Sequence, residues 1–448
     1  MRFLFALAGL ASLASAAPKP KTNGFTVVKP GNAKNIIVTD QNTLNGTYRE
    51  DSTFRMKIAD VNATEKEEAP TLDIEIVNNF DGGKINMYIH ALDPDERVVF
   101  IGADGNLIYP SSGGSATPVE ITDDLAIPLP AKGETHKVTL PLALHSGRIY
   151  FAEGDLPFFM VIAGGGKDGL VQPSIHNLQD PSAGLNYAFS EFTLTPEGVI
   201  WSNISFVDFV GLIISMYLRA TDGNVQEVIG LPGDSVPKIC NDLIAQGQRD
   251  GKKWPAHCIA HPDGTPFRVL SPEAFKHVDP SAFAGYYEEY VDQVWDRFRN
   301  EDLIINTQGP PGDVKCRVKG DTLECEGDNR GYSKPTTEDI WGCNSGPFEI
   351  RPGDNEVHLP VVPRICAALY RTTMLLAGGE RQPSLGPESY YTKDPTSHYG
   401  RILHERHVDG RGYAFSYDDV HPDGYKDTAG LISTGNPDVL RFTVGGAA

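Results

Sequence analysis

The chain has 448 residues, with 39 basic and 59 acidic side chains and a formal net charge of −20. That length holds one large domain or two of ordinary size, and 40% hydrophobic residues supply a sizeable core. The acidic balance argues against a nucleic-acid binder, which needs a Lys/Arg surface for phosphates, and against docking on anionic membranes.

The first residues read as a signal peptide over 1–16. Arg2 supplies the positive charge, residues 3–13 an apolar run, and Ala14-Ser15-Ala16 a small-residue cleavage pattern. The expected location is therefore secreted and extracellular. No later stretch has the roughly 18 apolar residues of a membrane span; the best candidate, 206–217, is short and carries Asp208. Three N-x-S/T sequons fit an exported chain. Those at Asn45 and Asn62 lie in polar segments and are expected to be exposed. The one at Asn203 lies in an apolar run and is expected to carry no glycan.

Up to about residue 220 the pattern is β. Leu72, Ile74 and Ile76 alternate with polar residues, and Met87-Tyr88-Ile89, 98–101, 138–140, 149–151 and 158–162 continue as short strands between Gly- and Asp-rich turns. With 46 Gly and 33 Pro, this predicts a sandwich or barrel. After Leu218 the texture changes. Helices are expected over 235–246, capped by Ser235, over 279–299, opened by Asp279-Pro280, and over 363–376. From Tyr399 onward β signals return, in Tyr413-Ala-Phe-Ser-Tyr417 and 439–444.

All six cysteines, Cys240, Cys258, Cys316, Cys325, Cys343 and Cys366, fall in the middle region. An even set in an oxidising compartment reads as disulfides, and no spacing among them suggests zinc. Sequential pairing is preferred, because Cys316 and Cys325 flank a hairpin-like turn. The expected organisation is a β-barrel or sandwich domain over 17–222, to which 396–448 return, and a disulfide-bearing mixed α/β domain over 223–395.

The segment 187–211 carries the chemistry. Two strands flank the turn Pro196-Glu197-Gly198, and period-two alternation places Tyr187, Phe189, Glu191, Thr193 and Thr195 on one face. Asp208 sits in an apolar run, where a charge needs a partner or a cleft. Paired carboxylates are what glycoside hydrolysis requires: a separation of about 6.5–9.5 Å gives inversion and about 5–5.5 Å retention. A straight hairpin pairs Glu191 with Asn203 and leaves Asp208 five positions along, so the two acids meet only where the strand bends or bulges. Trp201 reads equally as a sugar-stacking ring or a core aromatic.

Other motifs carry less. Gly164-Gly-Gly166-Lys-Asp-Gly169 formally matches a dinucleotide loop, but no helical pattern follows. His404-Glu-Arg-His407 has the wrong spacing for a zinc helix, and there is no G-x-S-x-G elbow. No metal or cofactor is expected.

The motif Glu191-Phe-Thr…Gly198…Trp201…Asn203-Ile-Ser…Val207-Asp-Phe-Val-Gly211 resembles the active-site signature of glycoside hydrolase family 64, β-1,3-glucanases whose best-known activity releases laminaripentaose. Met87-Tyr-Ile-His, 98–105, Arg148-Ile-Tyr-Phe-Ala152 and 413–420 extend the resemblance over most of the mature chain. It departs at Leu212-Ile213, where Pro is expected. The resemblance implies a thaumatin-like barrel plus a mixed α/β domain flanking an open groove. It implies an inverting enzyme with Glu191 as general acid and Asp208 as general base. Thr193, Trp201 and Ser205 would line sugar subsites, with Asp418 and Asp419 on the groove wall. The expected partner is β-1,3-glucan polysaccharide, bound by a monomer without cofactor. The rival reading is a non-catalytic thaumatin-like β-glucan-binding protein, which would need the aromatic and hydroxyl contacts but not the acids.

Overall fold

The computed structural model describes residues 23–39, 42–45, 70–425, 428 and 430–446. The expected signal peptide and the Asn62 sequon lie outside these residues. The chain is mainly β, arranged in several sheets with a few helices.

The largest sheet runs in the order Leu431–Thr434, Ile200–Ile204, Tyr187–Leu194, Leu144–Glu153, Ile85–Leu92, Val98–Ile101, Leu107–Ile108. A five-stranded sheet runs Val225–Val228, Ile214–Ala220, Pro437–Val444, Leu72–Asn78, Thr135–Leu140. The alternation seen in the sequence is the alternation of burial: Leu72, Ile74 and Ile76 all point inward. The two sheets pack face to face. The Ser190 and Ser202 hydroxyls of one lie 3.4 and 3.3 Å from the Met216 sulfur of the other. Phe151 and Phe442 meet across the same interface with ring centroids 5.6 Å apart. Pro437–Val444 fills the middle of its sheet, antiparallel to Ile214–Ala220 and parallel to Leu72–Asn78.

A third sheet joins distant parts of the chain. Thr26–Val27 pairs with Cys258–Ala260, which pairs with Pro266–Leu270, which pairs with Phe209–Val210. The segment just after Asp208 is thus stitched to the cysteine-bearing region. Nearly all buried hydrophobic side chains form one cluster spanning both regions; a small second cluster holds Phe159, Val161 and Val171.

The three disulfides form in sequential order, Cys240–Cys258, Cys316–Cys325 and Cys343–Cys366. Cys316 and Cys325 are direct cross-strand partners in the hairpin Asp313–Lys319/Thr322–Cys325, as the turn between them suggests. No described helix is long and apolar enough to cross a membrane.

The helices depart from expectation at their ends. The first spans Ser235–Asp250 and closes on Gly251 at φ 71. The second begins only at Glu288, within Glu288–Asn300. Asp279 does cap the chain there, accepting from the Ser281 amide and hydroxyl, but it caps a run of turns, and Gly285 at φ 72 interrupts any continuous helix. The third spans His358–Tyr370. Asn355 accepts from the His358 amide at 2.9 Å and starts it upstream of Pro363. Tyr413-Ala-Phe-Ser-Tyr417 is not a strand. Its backbone curls around the Asp418 carboxylate, which accepts from the Ala414 amide at 2.8 Å, leaving one parallel bridge from Tyr413 to Ser205.

Candidate active site

The hairpin Tyr187–Leu194/Ile200–Ile204 closes on Gly198 at φ 82 and pairs Glu191 with Asn203, as a straight hairpin about the Pro196-Glu197-Gly198 turn predicts. Asp208 lies beyond the hairpin, and contacts from elsewhere bring it back. The Phe206 amide donates to the Tyr413 carbonyl at 2.8 Å, and the Tyr399 hydroxyl donates to the Phe206 carbonyl at 2.6 Å. The chain then bends at Val207-Asp208, and the Asp208 carbonyl accepts from the Ser271 amide at 2.9 Å. Phe209–Val210 pairs with Val269 and Leu270, and the Leu212 amide returns to the Tyr187 carbonyl at 3.2 Å. Gly211 permits that return: a Cβ there would lie 2.3 Å from the Tyr187 carbonyl oxygen. Phe209 accordingly packs on Tyr187 and Phe189, with ring centroids 5.3 and 6.0 Å apart, on the face of the strand that carries Glu191.

The two acids therefore share one electrostatic environment. Burial raises the proton affinity of Asp208 above the ordinary aspartate value; the charge of Arg148 opposes that rise and the charge of Glu191 adds to it. Both acids are half-buried, and Glu191 has 38% of its side chain exposed.

Arg148 was not singled out by sequence reasoning. It sits opposite Glu191 on the neighbouring strand and opposite His90 on the next, so His90, Arg148, Glu191 and Asn203 form one polar row across four strands. Arg148 donates to Glu191 Oε1 at 2.9 Å and to the Tyr150 hydroxyl at 3.3 Å, bonds the Gln172 side-chain oxygen, and lies 4.3 Å over the Phe189 ring. The available signal was an arginine leading the apolar strand Arg148-Ile-Tyr-Phe-Ala152, in alternation with Tyr150. Gln172, on the loop after Asp168–Val171, gave no such signal.

The other expected site residues divide. Thr193 and Trp201 are cross-strand partners and both are buried. Trp201 is 2% exposed, so its ring has no face to stack on a sugar; it is a core aromatic. Ser205 is half-buried and accepts from the Val207 amide at 3.2 Å, helping to turn the chain toward Asp208. Asp418 is not a groove-wall residue. It is 1% exposed and is gripped by Arg371 at 2.8 Å, His404 at 2.9 Å and the Ala414 amide. Burial would raise its proton affinity, but His404 and Arg371 outweigh burial and hold it well below the ordinary range. Asp419 is half-buried, close enough to Arg364 for its charge to be felt there. Asn45, expected to be exposed, is buried.

The glycine run ends in the strand Asp168–Val171, with no helix to receive a phosphate. His404 is bonded to Asp418 and His407 stacks on Phe206. Among the described residues no group of three or more His, Cys, Asp or Glu is placed to hold a metal.

Residues 70–444 match the Glyco_hydro_64 family, described as Beta-1,3-glucanase. The glucan endo-1,3-beta-glucosidase of Cellulosimicrobium cellulans is 26% identical over 373 residues, which cover 82% of this chain and 64% of that protein. The chain thus spans less than two thirds of that relative's length. The crystal structure of a laminaripentaose-producing β-1,3-glucanase in complex with laminaritetraose is similar at TM-score 0.71 and 27% identity, covering 84% of this chain and 99% of the other. A β-1,3-glucanase domain from Clostridium beijerinckii shares the fold at TM-score 0.64 and 19% identity, over 85% of this chain and all of the other.

Proposed function

The chain belongs to the β-1,3-glucanase family, glycoside hydrolase family 64, and on that premise we propose that it hydrolyses β-1,3-glucan by inversion, with Glu191 and Asp208 as the reacting pair. The observation that carries this reading is the return of the chain after Ile204, which puts Asp208 within the electrostatic reach of Glu191. Asp208 takes a proton from a water that attacks the anomeric carbon. Glu191 delivers a proton to the departing glycosidic oxygen, and the product leaves as the α-anomer. A base must be ionised to act. The raised proton affinity of Asp208 therefore puts the acidic limb of the kcat/KM profile above the ordinary aspartate range. Ser205 and Asp419, both half-buried, are the implied subsite residues with surface left to meet a sugar.

The reading extends to the rest of the molecule. The proposed architecture is a thaumatin-like barrel over 17–222 and 396–448, with a mixed domain over 223–395 across an open groove. The proposed setting is extracellular, with the protein acting as a monomer. The likeness to a β-1,3-glucanase solved with laminaritetraose supports the substrate class.

Incubation with laminarin tests the reading. Reducing ends are expected, with the α-anomer first in proton NMR. Glu191→Gln and Asp208→Asn should each lower kcat by about 10²- to 10⁴-fold while binding to insoluble glucan persists. Binding without any release of reducing ends by the parent protein would instead make it a glucan-binding protein.

A further inference from the structure

We propose that Arg148 is the positioning residue of the acid pair, a single fixed cation that orients Glu191 and holds both carboxylates in working order. The inference rests on the reading of Glu191 and Asp208 as that pair.

The guanidinium is immobilised on several sides. Strand register sets it opposite Glu191. The Gln172 side chain, itself 5% exposed, and the Tyr150 hydroxyl hold its other edge, and the Phe189 ring lies beneath its plane. Gln172 also accepts from Tyr150 at 3.4 Å, so the three groups brace one another. Only a planar fork can bond a carboxylate on one edge and an amide on the other; an ammonium would reach one or the other. The bond to Glu191 is made to Oε1, and Oε2 has no hydrogen bond among the described residues. One oxygen is anchored and the other is left to carry the proton.

The charge acts on both acids. As Glu191 gives its proton to the leaving oxygen it becomes anionic, and a cation at 2.9 Å stabilises the charge that develops there. The same cation opposes protonation of Asp208, where burial and Glu191 favour it. Tyr150, Tyr399 and Glu273 also lie close enough to feel the charge of Asp208, and none of them is a cation. His90, next in the row, does not compete for Glu191. It is fully buried, and burial and the charge of Arg148 both keep it neutral.

Three variants assayed on laminarin across pH test this. Arg148→Met is expected to lower kcat about 100-fold with KM within about threefold, and to move the acidic limb of kcat/KM to higher pH. Arg148→Lys should return the limb toward its original position, because the charge is restored, but recover only part of kcat. Gln172→Leu removes the brace and keeps the charge, so kcat should fall about 10-fold with the limb in place. Circular dichroism checks each fold. Arg148→Met with unchanged kcat and an unmoved limb, beside an inactive Glu191→Gln, overturns the role of Arg148 alone. Should Arg148→Met not fold, unchanged kcat in Gln172→Leu overturns it. Full activity in Glu191→Gln instead brings down the acid pair beneath it.

Discussion

Asp418 is buried and Asp208 half-buried, and their surroundings bias them in opposite directions. Asp418 has Arg371 and His404 against it and stays charged, so it serves as a pin. Asp208 is biased toward its protonated form by burial, with the charge of Arg148 opposing that bias and the charge of Glu191 adding to it. In the sequence the two contexts, Phe206-Val-Asp208-Phe and Tyr417-Asp418-Asp419-Val, look alike. Arg371 lies 47 positions from Asp418, so the difference between them is written in the fold and not nearby. The bias of Asp208 carries a sign. An acid whose proton affinity is raised on folding destabilises the native state where it is ionised, at neutral pH; the penalty shrinks as the pH falls below its folded value and is gone below its unfolded one. Asp208→Asn should therefore unfold at a higher temperature than the parent at pH 7, with the two converging at acid pH. Thermal unfolding at several pH values measures this, and a lower Tm for Asp208→Asn at pH 7 would contradict it.

The elements around the site show which kind of information a sequence holds. Alternation of period two and a short turn are local signals: the first puts Glu191 on its face, and the second sets it opposite Asn203, because a hairpin with a short turn has little freedom in register. The path of Asp208 is not local. It depends on Tyr413, Ser271 and Tyr187, reached from three parts of the chain. The same division explains the helix at Glu288: Asp279-Pro280 is a sound start signal, but Gly285 ends what it starts. It explains Trp201 as well, since an aromatic on the face of the acids reads as a platform until the burial around it is known. Gly211 is the element-level hinge. Ala at this position sets a methyl against a backbone oxygen that belongs to the acid strand, so the close approach of Leu212 to Tyr187 must open. Gly211→Ala is expected to keep the fold by circular dichroism and lose about 100-fold in kcat/KM on laminarin, the effect of displacing one acid by roughly an ångström. Parental kcat/KM in this variant would show that the close approach does not set the position of Asp208.

At the scale of the whole molecule the decisive pairings span almost the entire described chain. The β signal at 439–444 was legible, but its seat in the centre of a sheet was not. Its neighbours Leu72–Asn78 and Ile214–Ala220 are fixed by pairings such as Arg441 with Glu75, which lie 366 positions apart and are joined at 2.6 Å. A chain ending at residue 430 lacks this strand and the edge strand Leu431–Thr434 of the larger sheet. It should show no cooperative unfolding transition in urea; a single sharp transition with the parent's m-value would show that the centre of the sheet is dispensable. The position of Pro437–Val444 also sets an order of events in time. A nascent chain holds an open slot between Leu72–Asn78 and Ile214–Ala220 until residues 437–444 have left the ribosome, and anything that holds those residues back during synthesis delays every contact that depends on that slot.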